Sequence, residues 1–297
     1  MKILILGRDG QVGTALTALL APLGEIAAYG RAGADFERPD DVARLVHREQ
    51  PDVVVNAAAY TAVDKAESEP ELARLVNTTS PGRLAEAAAE MGARLIHLST
   101  DYVFDGEKPE PYVEDDATSP LNVYGRSKLD GELAIAASGA DHVILRTSWV
   151  HSASHSNFIG KILEVAAQRD ELKVIDDQFG CPTSARLIAD IVGRIIAQGD
   201  AGRPLPAGTY HLTAEGETSR CDYARFIVEA ALGLGAKLRA TPDRVLPVPS
   251  SAFPTPARRP RNSHLSTHKL RSALDCELPG WRDDVLPTIA VLVGEPS

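Results

Sequence analysis

The opening of the chain constrains its fold more than any other stretch. Lys2-Ile-Leu-Ile-Leu6 is a short apolar run that predicts a buried strand, and residues 12–20 place leucines at helical spacing. Between them lies Gly7-Arg8-Asp9-Gly10-Gln11-Val12-Gly13, so three glycines fall where a strand turns into a helix. At such a junction the backbone can approach a pyrophosphate closely, and the helix N-terminus stabilises its charge. Gly7, Gly10, Gln11, Val12 and Gly13 are therefore candidate residues for seating a dinucleotide.

The same alternation continues. Strands are predicted at 26–29, 52–56, 94–98 and 142–146, with helices over 40–49, 81–91 and 121–137. Strand-helix repetition of this kind implies an α/β fold with a Rossmann-like, doubly wound parallel sheet covered on both faces. Past residue 148 the rhythm changes. Helices near 157–168, 185–198, 219–234 and 281–293 are separated by turn-rich stretches, among them 242–260 with its six prolines. The expected organisation is a dinucleotide-binding domain of residues 1–148 and about 172–214, whose last sheet strands lie near 173–175 and 209–212. A smaller, discontinuous α/β substrate lobe takes about 149–171 and 215–297. The basic cluster Arg258-Arg259-Pro260-Arg261 is read as a wall that meets a diphosphate.

Charge and composition narrow the partners. A formal charge of -10 argues against nucleic acid, since phosphate backbones require a basic surface. Cys181, Cys221 and Cys276 are far apart, with no Cys-x-x-Cys, and are read as small residues in a reducing compartment. No stretch reads as a signal peptide or approaches the ~20 apolar residues of a membrane helix, so a soluble cytoplasmic protein is expected. No His/Cys/Asp constellation has metal-ligand spacing, and no metal is expected.

Chemistry enters with Tyr124 and Lys128, in Tyr124-Gly-Arg-Ser-Lys128. A four-residue spacing sets both side chains on one helix face. An ammonium beside a phenol is expected to draw the phenol's pKa from about 10 toward working pH, making it a proton donor to a carbonyl oxygen. Thr100 ends a strand at the carboxyl edge of the sheet, where its hydroxyl can reach the same oxygen. At the far end of the cleft, Arg31 follows the second strand where an acidic residue would bind a ribose hydroxyl, and Arg8 lies in the glycine loop. Two guanidiniums there favour a 2′-phosphate, so NADPH is the expected donor, with NADH accepted as well.

The Gly-x-x-Gly-x-x-Gly loop together with Tyr-x-x-x-Lys resembles the extended short-chain dehydrogenase/reductases. Five further segments resemble one family among them, the dTDP-4-dehydrorhamnose reductases: residues 56–67, Leu98-Ser-Thr-Asp-Tyr-Val-Phe-Asp-Gly106, 120–132, Arg146-Thr-Ser-Trp-Val150 and Asp177-Gln-Phe-Gly-Cys-Pro-Thr183. The resemblance implies reduction of dTDP-4-dehydro-L-rhamnose to dTDP-L-rhamnose with NAD(P)H. Thr100, Tyr124 and Lys128 would then be catalytic. Asp101, Tyr102 and Trp149 would join Thr100 in binding substrate, Ala57, Ala58 and Ala59 would lie along the dinucleotide, and Asp35 and Phe36 would face the adenine. Other sugar-nucleotide 4-ketoreductases or epimerases, and a non-catalytic dinucleotide-binding regulatory subunit, are the alternatives; the intact trio argues against the last. Some members of the family pair through a cation held by glutamates after the glycine loop. Thr14-Ala15-Leu16 offers no carboxylate there, so a monomer or a homodimer without a bridging metal is expected.

Overall fold

The computed structural model describes residues 1–294; residues 295–297, the end of the expected second lobe, lie outside the described residues. β1 (Lys2–Leu6) runs through the glycine loop into α1 (Gln11–Leu19), followed by β2 (Glu25–Tyr29), α2 (Pro39–Glu49) and β3 (Val53–Asn56). Two short helices, α3 (Val63–Ala66) and α4 (Pro70–Arg74), precede a π-helical turn that leads into α5 (Ser80–Met91). Then come β4 (Arg94–Thr100), α6 (Val123–Ala137) and β5 (His142–Thr147).

The second half is more broken. β6 (Val150–His151), α7 (Phe158–Gln168), β7 (Leu172–Ile175), β8 (Phe179–Gly180) and β9 (Thr183–Ser184) lead to α8 (Ala185–Asp200) and β10 (Gly208–His211). β11 (Thr218–Ser219), α9 (Arg220–Gly233), β12 (Val245–Val248), α10 (His268–Leu274) and α11 (Trp281–Val293) complete the described chain.

Six strands form the central sheet in the order β10-β5-β4-β3-β1-β2, with every neighbouring pair parallel. Its strands are apolar without alternation because both faces are covered. Ile3, Ile5, Val53, Val55 and Ile96 enter one core with α1 and α8, while Leu4, Leu6, Val54 and Leu95 enter the other with α2 and α5. Full burial of each such side chain contributes roughly 1.5–3 kcal/mol, an upper figure for a compact unfolded chain. The order reverses between β1 and β3, and in open α/β sheets ligands bind at the carboxyl ends of strands beside such a reversal.

One expected sheet strand belongs elsewhere. Residues 172–175 pair with β12, not with the central sheet, in the register Leu172 to Val245 and Ile175 to Val248. The reason lies in its side chains: Leu172 and Val174 are buried while Lys173 is exposed, the pattern of a strand with one covered face. The other expected late strand, β10, does take the sheet edge beside β5.

Candidate active site

β4 ends at Thr100, and Asp101–Val103 form a 3-10 turn at the sheet's carboxyl edge. Thr100 caps that turn, its Oγ1 accepting from the Tyr102 N–H at 3.2 Å and donating to Asp101 Oδ1 at 3.1 Å. The helix opposite is started by Asn122, whose Oδ1 accepts from the Gly125 N–H at 2.8 Å. Asn122 Nδ2 donates to the Arg258 carbonyl at 2.7 Å, tying the start of α6 to the basic segment. α6 is fixed to the sheet by a buried ion pair in which Arg146 Nη2 donates to Glu132 Oε2 at 2.7 Å, and Ser99 donates to the same carboxylate. This places Tyr124 against Tyr102, their rings edge to face with centroids 5.6 Å apart, and brings Tyr124, Thr100 and Asp101 into one cluster.

The electrostatics differ from the expected ammonium-phenol pairing. Lys128 Nζ donates to the Leu98 carbonyl at 2.7 Å and stands 3.1 Å from His97 Nε2, because its long stem reaches the β4 backbone. Lys128 is thus not the group that tunes Tyr124. Burial pushes the Tyr124 phenol above its ordinary value, the Thr100 hydroxyl opposes this, and the charges at Asp101 and Tyr102 add to it. Burial brings Lys128 down to about 8, opposed by Glu132. Asp101 is pushed up to about 6, chiefly by burial, against hydrogen bonds from Ser263 and Thr100.

Trp149 adopts φ +46°, a left-handed conformation that bulky residues rarely take and that clusters at functional sites. Its ring lies 3.6 Å beneath the Arg220 guanidinium and stacks on Tyr223. Arg220 also faces Asp101 and Tyr102, and Arg259 hydrogen-bonds Tyr102. Both arginines line a cavity of about 1470 Å³, together with Lys161, Arg258 and Arg261. Thr100, Asp101, Tyr102 and Trp149 do not line this basic cavity themselves; Asp101, Tyr102 and Trp149 adjoin it through Arg220.

On the other side, Gly7, Gly10, Arg31, Asp35, Phe36, Ala57, Ala58 and Ala59 all line one cavity of about 360 Å³. Its glycine and alanine backbone suits the close approach of a phosphate group. Gly7 has φ +84°, and a Cβ there would come within 2.7 Å of the Ala57 and Ala58 backbone, while one on Gly13 would strike the Gly7 carbonyl at 2.0 Å. Only glycine leaves this loop open, and the N-terminus of α1 carries no side-chain cap, so its N–H groups are available to an anion. Gln11, Val12 and Gly13 form the first turn of α1; Gln11 Oε1 accepts from Ser152 at 3.1 Å and Asn157 at 3.2 Å, linking the loop to the segment before α7. Phe36 is buried in the second core, and Asp35 Oδ1 accepts from the Glu37 N–H at 3.0 Å, bracing the turn. Arg31 is ion-paired with Glu37 and its side chain is 79% exposed. Arg8 pairs with Asp9 at 3.2 Å and donates to the Ala28 carbonyl at 3.2 Å, so both guanidiniums are already engaged.

Three residues escaped the sequence reading. Asn56 and His97 are fully buried polar groups in otherwise apolar strands, and that isolation was the available signal. Arg220 opens α9, where nothing in the local pattern marks it.

A glycine-rich junction of β1 and α1, with Tyr-x-x-x-Lys on the helix facing the end of β4, is the architecture of the extended short-chain dehydrogenase/reductases. The family model described as RmlD substrate binding domain matches residues 1–293. A dTDP-4-dehydrorhamnose reductase of Escherichia coli (strain K12) is 48% identical over 286 residues, 95% of each chain. The crystal structure of a dTDP-4-dehydrorhamnose reductase from Clostridium acetobutylicum superposes with a TM-score of 0.89 at 34% identity, covering 98% of this chain and 99% of that one. The same enzyme from Bacillus anthracis, in complex with NADP, gives 0.88 at 30% identity over 98% of each chain. The chain belongs to the dTDP-4-dehydrorhamnose reductase family. Among the described residues no helix is long and apolar enough to cross a membrane, and no three His, Cys, Asp or Glu side chains are grouped to hold a metal.

Proposed function

We propose that this protein reduces the 4-keto group of dTDP-4-dehydro-L-rhamnose to give dTDP-L-rhamnose, the last step of dTDP-rhamnose synthesis, in the cytoplasm. NADPH supplies the hydride when bound, and NADH serves as a second donor. Support for the phosphorylated cofactor comes from the NADP complex of the Bacillus anthracis relative and from Arg31 on the wall of the smaller cavity. The observation that carries the reading is the convergence of Thr100, Asp101 and Tyr124 at the carboxyl edge of the sheet, in a chain that also holds a glycine-lined cleft and a basic cavity.

In this reading Tyr124 donates a proton to the carbonyl oxygen and the Thr100 hydroxyl holds that oxygen in place. Burial keeps the phenol proton-bearing before transfer, and the Thr100 hydroxyl opposes the rise in its pKa. Lys128, half-way down in pKa, steadies the ribose side of the cleft and stands ready to exchange a proton. Asp101, Tyr102 and Trp149 contact the sugar, and Arg220, Arg258, Arg259 and Arg261 meet the diphosphate in the larger cavity. The six-stranded part, residues 1–148 and about 176–214, serves the dinucleotide. Residues from 149 to 175 and from 215 onward serve the nucleotide sugar; β7 falls here through its pairing with β12. A monomer or homodimer without a bridging metal completes the proposal.

The test is NADPH oxidation followed optically with dTDP-4-dehydro-L-rhamnose against its UDP and GDP counterparts. The expected result is turnover that favours the dTDP sugar. Equal rates for all three nucleotides, or none for any, would overturn the substrate assignment.

A further inference from the structure

The larger cavity has one stretch of wall that its arginines do not explain. It is formed by the segment after β12, where Ser250, Ser251, Phe253, Pro254, Thr255 and Pro256 line the cavity and residues 251–256 are exposed. A carboxylate clasps each end. Asp177 accepts from the Ser250 N–H at 3.0 Å and from the Ser250 hydroxyl. Asp64 accepts from the Ala257 N–H at 3.2 Å and from Arg259 Nη2 at 2.7 Å. Pro249, Pro254 and Pro256 fix φ along the span, so this wall has its shape before a ligand arrives.

Phe253 is the large apolar side chain on it. The residue is 46% exposed and joins none of the apolar cores, so packing does not require a ring there. An aromatic side chain left in water forgoes the free energy of burial and keeps a face open for a flat ligand. Gln178, only 9% exposed, lines the same cavity. The Ser250 hydroxyl gives its hydrogen to Asp177, so it can only accept from Gln178, and the atom it meets at 3.2 Å is Nε2. That orients the amide. Its Oε1 accepts no hydrogen bond among the described residues and is left for a ligand donor.

An amide oxygen repels a phosphate and accepts from an N–H, and the Asp177 carboxylate beside it acts in the same sense. This stretch therefore suits the uncharged end of a nucleotide, while the arginines suit its phosphates. A nucleobase has both features the wall can use, a π-face and a polar N–H edge. We propose that Phe253 and Gln178 seat the nucleobase of the nucleotide sugar: the ring stacks on the base, and the amide oxygen accepts from a base N–H, which in thymine is N3–H. The inference deepens the proposed function and rests on a nucleotide sugar being the substrate.

The test is calorimetric binding to the full-length protein, with no turnover, of dTDP, dTDP methylated at N3 and inorganic pyrophosphate. Phe253→Ala should raise the dTDP Kd at least about fivefold, the lower end of base-aromatic stacking, and leave the pyrophosphate Kd within about twofold of the parent. Phe253→Tyr keeps the ring and should restore dTDP binding. The parent should bind N3-methylated dTDP at least about tenfold more weakly than dTDP, a difference lost in Gln178→Met. An unchanged dTDP Kd in Phe253→Ala, or an equal rise for dTDP and pyrophosphate, overturns the stacking role. Equal binding of dTDP and its N3-methyl form by the parent overturns the amide contact; should Gln178→Met not fold, that comparison decides. A protein that binds dTDP as expected yet reduces no keto sugar refutes the function and leaves the base seat standing. Turnover of the dTDP sugar with Kd and KM unmoved in Phe253→Ala refutes the seat alone.

Discussion

Tyr124 is the residue whose smallest change should have the largest effect. Its ring packs on Tyr102, and only its hydroxyl reaches Thr100 and Asp101, so Tyr124→Phe keeps the packing and removes the proton. The expected result is a ~10²–10⁴-fold fall in kcat, with melting temperature and dinucleotide Kd close to the parent. Turnover within about threefold of the parent across pH would assign the proton to another group. Thr100, Tyr124 and Lys128 were legible because spacing along a helix and position at a strand end are local properties. What Lys128 touches was not legible, since His97 is 31 residues away and comes under the helix only when α6 docks on β4. A lone histidine inside Leu95-Ile-His-Leu98 could have raised the question, because a polar group in a strand buried on both faces needs a partner.

At the scale of elements, β8 sets the position of the Trp149 indole. A Cβ on Gly180 would fall 2.7 Å from the indole Cε2, so Gly180→Ala must shift the ring from its place against Arg220. We predict a rise of about tenfold in KM for the keto sugar, ~1.4 kcal/mol, with little change in dinucleotide Kd. A steep fall in melting temperature with normal KM would instead make Trp149 a packing residue between elements. In the proposed function the turn between β2 and α2 carries the cofactor choice. Arg31 is held by Glu37, so a 2′-phosphate has to compete for it. Arg31→Asp should shift the NADPH-to-NADH ratio of kcat/KM toward NADH by at least about tenfold, measured with both dinucleotides at fixed salt. An unmoved ratio would leave Arg31 a surface residue paired with Glu37. The sheet strands were legible because two-faced burial writes an uninterrupted apolar run. β7 was misplaced because four residues cannot announce which sheet they join, although the exposed Lys173 already distinguished a one-faced strand. α3 and α4, with four and five residues, are too short for periodicity to register.

Across the whole molecule, an overall charge of -10 coexists with a cavity walled by Lys161, Arg220, Arg258, Arg259 and Arg261. Composition excluded a basic surface but could not place the basic residues together, because they come from α7, α9 and the segment before α10. The same folding buries His97, His151 and His211, and this sets the acid stability. Burial lowers His151 to about 4; burial, with the charge of Arg146, lowers His211 to about 3; His97 falls well below 6.5. Between those values and 6.5 the unfolded chain binds protons that the native state refuses, so stability is full above 6.5 and is lost as pH falls. Asp101, raised to about 6, and Asp284, raised from 3.8, act in the opposite sense by holding protons in the native state. Two carboxylates offset three imidazoles only in part, and just below 6.5 the imidazoles act almost alone. Unfolding free energy should therefore fall between about pH 6.5 and pH 5, with a slope of about 1.4 kcal/mol per pH unit for each net proton taken up. His151→Gln can keep the hydrogen bond to Thr288, 3.1 Å from His151 Nδ1, while removing one titrating group. Denaturant titrations across that range should give a slope lower by about one proton in the variant. An equal slope in both proteins would mean that His151 takes up its proton without unfolding, and that the acid sensitivity arises elsewhere.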